Sequence, residues 1–222
     1  MRLIASFDPT VREIALRSLQ VTFSALAISA VIGIPAGAWL ALVNFPGKRL
    51  FTVFIYTGMG LPPVVVGLVV YLILSRSGPA GDLGWLFTIP AMVIAQTILA
   101  TPLIVGVTMS SVQAVDPELR PQLHMLGATR RQAIFAQLYE ARFGVIVGLA
   151  AGFGAIISEV GAVMLVGGNI EGRTRVLTTA VVLETRRGNF DFALALGIIL
   201  LALSFIANAV LVLLQNRSGS VR

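Results

Sequence analysis

The sequence predicts an all-α integral membrane protein with about five transmembrane helices, and three observations predict it. Of 222 residues, 57% are hydrophobic and only 12% carry charge, and the mean hydropathy of +0.92 lies in the membrane range. A hydrocarbon core about 30 Å thick, at about 1.5 Å of helical rise per residue, needs roughly 20 mostly apolar residues per crossing. Five such stretches follow one another at residues 18–43, 50–75, 85–115, 143–166 and 191–215. They use most of the chain, so residues 1–222 read as a single transmembrane domain.

Residues 1–17 contain Asp8 and Glu13 and no apolar core ahead of the first span, unlike a cleavable signal peptide. Val11, Ile14, Ala15 and Ser18 fall at helical spacing while Arg12 and Glu13 can meet headgroups, which predicts an interfacial lead-in helix; a frayed terminus is the other reading. The first three spans contain Pro35, Pro62, Pro63, Pro90 and Pro102. Each proline removes a backbone donor and frees a carbonyl that lipid cannot satisfy. Such spans line a water-accessible or moving interface, or else use their kinks for packing. Thr97, Thr101, Thr108, Ser110 and Ser111 add hydroxyls to the third span, either to meet a polar solute or to bond back to their own helix.

In the fourth span Gly144, Gly148 and Gly152 recur every four residues along one face, followed by Gly154 and Gly161, and this predicts close helix contact. Glu159 lies roughly 24 Å along that helix from Phe143. An ionisable group at such depth needs a partner, arginine or backbone donors, or else serves transport directly. Residues 167–190 then form a connection too long for a turn and too short to cross twice. Its apolar run 176–183 covers only about 12 Å as a helix, so it is expected to be re-entrant or to lie in the interface as a lid or gate. Arg173, Arg175, Arg186 and Arg187 around it read as solvated charges partly cancelled by Glu171 and Glu184, or as an anion lure.

Between the third and fourth spans lies a polar island, residues 116–142. Asp116 suits an N-cap, Pro117 the first helical position and Glu118 the positive end of the helix dipole, with Pro121 placed to restart that helix one turn later. Gly127 permits a left-handed stop. Thr129 with Gln132 forms a capping box for a second helix. On it Ile134 and Leu138 share one face, Phe135 and Tyr139 another, with Arg130, Arg131 and Gln137 polar. The island is a helix-Gly-helix knob, either a solvated hairpin or a docking surface.

Composition excludes several functions. There is no cysteine and one histidine, His124, so disulfides, thiolate metal sites and a histidine pair are absent. No basic stripe interleaved with aromatics suggests nucleic acid. No His-Glu-x-x-His, Gly-x-Ser-x-Gly or paired carboxylates within a span suggest an intramembrane enzyme, and no Gly-x-x-x-x-Gly-Lys-Ser/Thr loop cradles a nucleotide. The net charge of +6 fits the basic flanks of membrane helices, or an anionic lipid or solute. Lys and Arg divide evenly between the two sides of a five-span topology. The short connection holding Lys48 and Arg49, against one where Asp82 offsets Arg76, leans toward an outside N-terminus.

Leu126-Gly127-Ala128-Thr129, ahead of the penultimate span, resembles the coupling loop of ABC importer permeases of type I. The match is partial: Pro121-Gln122-Leu123 stands where the family has Glu-Ala-Ala, Glu118 comes three residues early, and Gln137-Leu138-Tyr139-Glu140 replaces the closing Ile-x-Leu-Pro. A second block, Glu159-Val160-Gly161, Gly167-Gly168-Asn169-Ile170, Gly172, Thr174 and Leu177-Thr178-Thr179-Ala180, resembles permeases for tungstate, molybdate and sulfate. Glu140-Ala141-Arg142 and Leu183-Glu184-Thr185 with Gly188 favour the tungstate-type branch.

The resemblance implies a homodimer in a bacterial or archaeal cytoplasmic membrane. It implies two cytoplasmic ABC ATPase subunits, which hold ATP and Mg while this chain has no cofactor, and an extracytoplasmic oxyanion-binding protein. The island would be cytoplasmic, residues 167–190 outside, the N-terminus outside and the C-terminus cytoplasmic. ATPase coupling would fall to Glu118, Leu126, Gly127, Ala128 and Thr129. The gate or pathway candidates are Pro62, Pro63, Thr101, Pro102, Glu159, Gly167, Gly168, Asn169, Thr178 and Thr179. Molybdate, sulfate and vanadate are the alternative cargoes. A passive channel fits the kinked spans but gives the island no purpose.

Overall fold

The computed structural model describes residues 9–219. Ten α-helices follow in order among them: α1 Pro9–Leu42, α2 Lys48–Met59, α3 Pro63–Leu74, α4 Ile89–Gln113, α5 Leu119–Met125, α6 Arg130–Glu140, α7 Arg142–Ile157, α8 Gly161–Gly167, α9 Leu177–Arg186 and α10 Phe190–Gly219, with a 3-10 turn at Gly81–Leu83. Three helices are individually long and apolar enough to cross a membrane, and five spans result if each of two bent helix pairs counts as one.

The lead-in and the first span are one helix of 34 residues, about 51 Å at the α-helical rise. From Pro9 onward the frayed alternative is therefore wrong; residues 1–8 lie outside the described part. Ile14 and Ser18 are buried and Val11 and Ala15 half-buried, the face the spacing predicts, while Arg12 and Glu13 are exposed. That face packs with Leu177, Ala180 and Leu196, so the lead-in belongs to the folded core rather than to the interface alone. The Ser18 hydroxyl accepts the Leu177 N–H at 2.7 Å, which caps α9 from across the fold.

The second predicted span, 50–75, is broken in the middle. It is two 12-residue helices, α2 and α3, bent by 100°. Pro62 and Pro63 between them lack two N–H groups, and Pro63 opens α3 at a position where no intrahelical donor is needed. Each arm is about 18 Å long, too short to cross alone. The fourth predicted span, 143–166, is likewise divided, because α7 ends at Ile157 and α8 begins at Gly161.

α4 is the central helix, and Ala91, Met92, Ala95, Ala100, Ile104, Val105, Met109 and Val112 are buried along it. The glycine stripe of α7 meets it as predicted. A Cβ at Gly144 would stand 2.0 Å from Ser111 Oγ, and at Gly148 and Gly152 it would meet Val107 and Ile104 at 3.2 and 3.1 Å. Gly67 seats α3 on α8 in the same way, with an added Cβ only 2.6 Å from Ala162 Cα. Gln96 donates at 2.9 Å to the Ile156 carbonyl at the end of α7, satisfying a C-terminal acceptor that lipid would leave bare. Large apolar side chains instead cover the outside: α2 has no buried residue, and Leu194, Leu201, Phe205 and Ile206 of α10 are exposed, as a lipid or subunit-facing surface requires.

Candidate functional site

The polar island folds as a knob on the end of α4. The Asp116 carboxylate accepts the Glu118 N–H at 2.9 Å, but a turn precedes α5, which starts at Leu119 rather than at Pro117. Pro121 does not restart the helix. It sits in the first turn of α5, where its missing N–H costs nothing. At the other end Gly127 has φ +84°, Ala128 N–H donates to Leu123 O at 2.9 Å and Gly127 N–H to His124 O at 3.0 Å. These two bonds form a Schellman stop, which needs the left-handed residue that glycine supplies. Thr129 and Gln132 complete the capping box of α6: Thr129 N–H donates to Gln132 Oε1 at 2.8 Å and Gln132 N–H to Thr129 Oγ1 at 3.4 Å.

The knob has two faces. Inward, Ala133 is buried, Leu138 packs with Val112, Val115 and Ala141, and Gln137 donates to the Val112 carbonyl at 3.0 Å. Gln137, read as a polar position of the second helix, ties α6 to α4. Outward, Met125, Leu126, Phe135 and Tyr139 are 80%, 84%, 72% and 66% exposed, with Glu118 and Thr129 beside them also exposed and Ala128 half-buried. Arg142 lies 3.8 Å from the Tyr139 ring centre and 4.4 Å from that of Phe143. An apolar tip raised on a polar base is an unusual exposure for a segment free in water, and suits a protein partner.

Away from the knob, the second block gathers around the α7–α8 break. Glu159 accepts the Ala162 N–H through Oε1 at 3.0 Å, so of the partners expected for it the backbone donor, in the first turn of α8, is the one present. The Thr178 hydroxyl donates to the Glu159 carbonyl at 3.0 Å. Asn169 has φ +51° and donates to the Thr179 carbonyl at 3.4 Å, while the Thr179 hydroxyl accepts the Val176 N–H at 3.1 Å to cap α9. Gly167 and Gly168 press on Met92 and Phe87. Thr174 bridges this turn, accepting the Ile170 N–H at 3.0 Å and donating to Gly167 O at 2.5 Å.

Glu159, Gly167, Asn169, Thr178 and Thr179 are thus tied by hydrogen bonds around α9 and Thr174, with Gly168 in the same turn, and α3, which Pro63 opens, packs on α8 through Gly67. Thr101 and Pro102 lie apart, on α4. The Thr101 hydroxyl bonds back to Thr97 O at 2.7 Å, and Pro102 faces Gly58 of α2. Ser111 also bonds back, to Val107 O at 2.7 Å. Around the Glu159–Thr179 unit, Arg175 pairs with Glu171 at 3.2 Å and Arg187 with buried Glu184 at 3.0 Å, so the predicted charge cancellation is made by local ion pairs. Arg17 reaches both Glu13 and the Gly172 carbonyl. Neither that link nor the Gln96 bond is indicated by the sequence analysis, although a lone amide inside an apolar span is the kind of signal that could have found Gln96.

Residues 33–219 match the family described as binding-protein-dependent transport system inner membrane component. The chain belongs to this family. It is an ABC importer permease subunit, a multi-pass membrane protein. It is 47% identical over 197 residues to a probable anion ABC transporter permease protein of Haloferax volcanii, covering 86% of this chain and 85% of the relative. Identity is 43% over 216 residues to the tungstate uptake system permease protein TupB of Peptoclostridium acidaminophilum, covering 97% and 95%. The fold is shared with a chain of the MetNI methionine ABC transporter in an inward-facing conformation, at a TM-score of 0.74 and 17% identity over 91% of this chain and 93% of that one.

Proposed function

We propose that this permease carries a small tetrahedral oxyanion, tungstate in the first place, across the membrane as a homodimer driven by two ATPase subunits. The observation that carries the cargo is the 43% identity, spread over 97% of the chain, to a permease of a tungstate uptake system. The relative from Haloferax volcanii supports the wider anion class. The domain 1–222 has its coupling loop at 116–142 on the cytoplasmic side, with Glu118, Leu126, Gly127, Ala128 and Thr129 presented to an ATPase that binds ATP and Mg. The N-terminus and residues 167–190 lie outside, facing an oxyanion-binding protein, and the C-terminus is cytoplasmic.

In this reading the α2–α3 elbow at Pro62 and Pro63 and the Glu159–Thr179 unit are the parts that move when the knobs are drawn together, and Thr101 and Pro102 flank the path on α4. The anion passes along backbone N–H groups and hydroxyls, because a dianion that sheds water needs several donors but must not be held tightly. Calorimetry of the cognate binding protein with tungstate, molybdate, vanadate and sulfate tests the cargo. Tungstate is expected to bind most tightly, and preferred binding of an amino acid or a sugar would overturn the oxyanion reading.

A further inference from the structure

Between the end of α1 and the knob lies a cavity of about 360 Å³, whose lining includes Arg120, His124 and Arg130 from the knob, Trp39 and Leu42 from α1, and Ile134 of α6. No acidic residue lines it. Nε and Nη2 of Arg120 are buried and have no hydrogen-bond partner, and neither Arg120 nor Arg130 forms an ion pair among the described residues. His124 spends Nδ1 on the Ala128 carbonyl at 3.0 Å. Two guanidinium nitrogens of half-buried Arg120 withdrawn from water without an acceptor are costly, so Arg120, with exposed Arg130 on the same cavity, asks for an anion. The volume is roughly ten times the 30 Å³ share of one liquid water, enough for a phosphate group and its ester oxygens.

The walls identify the source of that anion. Trp39 and Leu42 belong to the last turn of a membrane-length helix. Trp39 stacks on Phe45 at 4.8 Å and Phe45 meets Phe51 edge-on at 5.8 Å, an aromatic cluster of the kind that sits at headgroup depth. We infer that Arg120 and Arg130 hold the phosphate of an anionic phospholipid in this cavity, with its acyl chains along Trp39 and Leu42, so that a lipid bridges the first span and the knob. The inference does not depend on the cargo or on ATPase coupling, and lipid binding by the full chain reads it separately.

Native mass spectrometry of the purified full-length chain, loaded from mixed micelles of phosphatidylglycerol and phosphatidylcholine, tests it. The wild type should retain phosphatidylglycerol preferentially. Arg120→Gln and Arg130→Gln should each lower that preference by roughly fivefold, the effect of about 1 kcal/mol per cation near an anionic surface, while Arg186→Gln, at the exposed end of α9, should not. Arg120→Lys should keep most of it. A photoreactive phosphatidylglycerol needs no substitution and should label residues 39–43 or 120–134. Equal retention by wild type and the double variant, labelling confined to other segments, or release of the lipid by inorganic phosphate or tungstate alone would overturn the lipid site, the last in favour of a free oxyanion.

Discussion

At the scale of single residues, Gly127 sets the shape of the knob. Its φ of +84° places it where a side chain is strained, although an added Cβ would touch nothing within 4 Å. Gly127→Ala should therefore cost about 1–2 kcal/mol through the backbone alone, and Gly127→Asn less, because asparagine tolerates the left-handed region. Both should leave the spans folded, as read by a thermal melt in detergent, yet lower ATP-driven uptake in the order Ala below Asn below wild type. Gly127→Asp with assembly and coupled uptake intact would remove the role given to the knob. This glycine and the Thr129–Gln132 capping box were legible in sequence because both are local: every partner lies within five residues. The bonds of Gln137 and Gln96 and the link from Arg17 to the Gly172 carbonyl were not, because those acceptors stand on other elements.

Helices and their contacts form the next scale, where the glycine stripe of α7 makes the sharpest prediction. Gly144→Ala drives a methyl into Ser111, whose Oγ and Cβ would lie 2.0 and 2.3 Å away. Overpacking of this kind costs about 1–3 kcal/mol, and Ser111→Gly should restore part of it, whereas Ser111→Ala should not because the Cβ remains. Detergent melts of the single and double variants measure this, and additive losses would deny the contact. The stripe could be read from sequence since spacing of four marks one helical face. The 100° elbow between α2 and α3 could not, because hydropathy runs unbroken through Pro62 and Pro63 and two arms of the right total length look like one span. The break before α8 was hidden for a different reason: Glu159 was recognised as needing a partner, but that its partner is the N–H of a new helix emerges only from the fold.

For the molecule as a whole, composition gave the membrane class, and the proposed topology sets the knob and the Glu159–Thr179 unit on opposite sides. The chain has no cysteine, so single substitutions report topology without background. Leu126→Cys should react with a membrane-impermeant maleimide only after cells are opened, and Glu171→Cys in intact cells; the reverse pattern would invert the orientation. As proposed, the knob transmits ATP hydrolysis to oxyanion movement in a dimer of this chain. The most direct test is ATPase activity of the permease with its ATPase subunits in proteoliposomes enclosing nucleotide-accessible and binding-protein-accessible faces separately. Tungstate-loaded binding protein should raise hydrolysis well above the unloaded protein, with tungstate accumulating in step and Gly127→Asp abolishing both; hydrolysis indifferent to loading, or tungstate flux without ATP, would sink the proposed coupling.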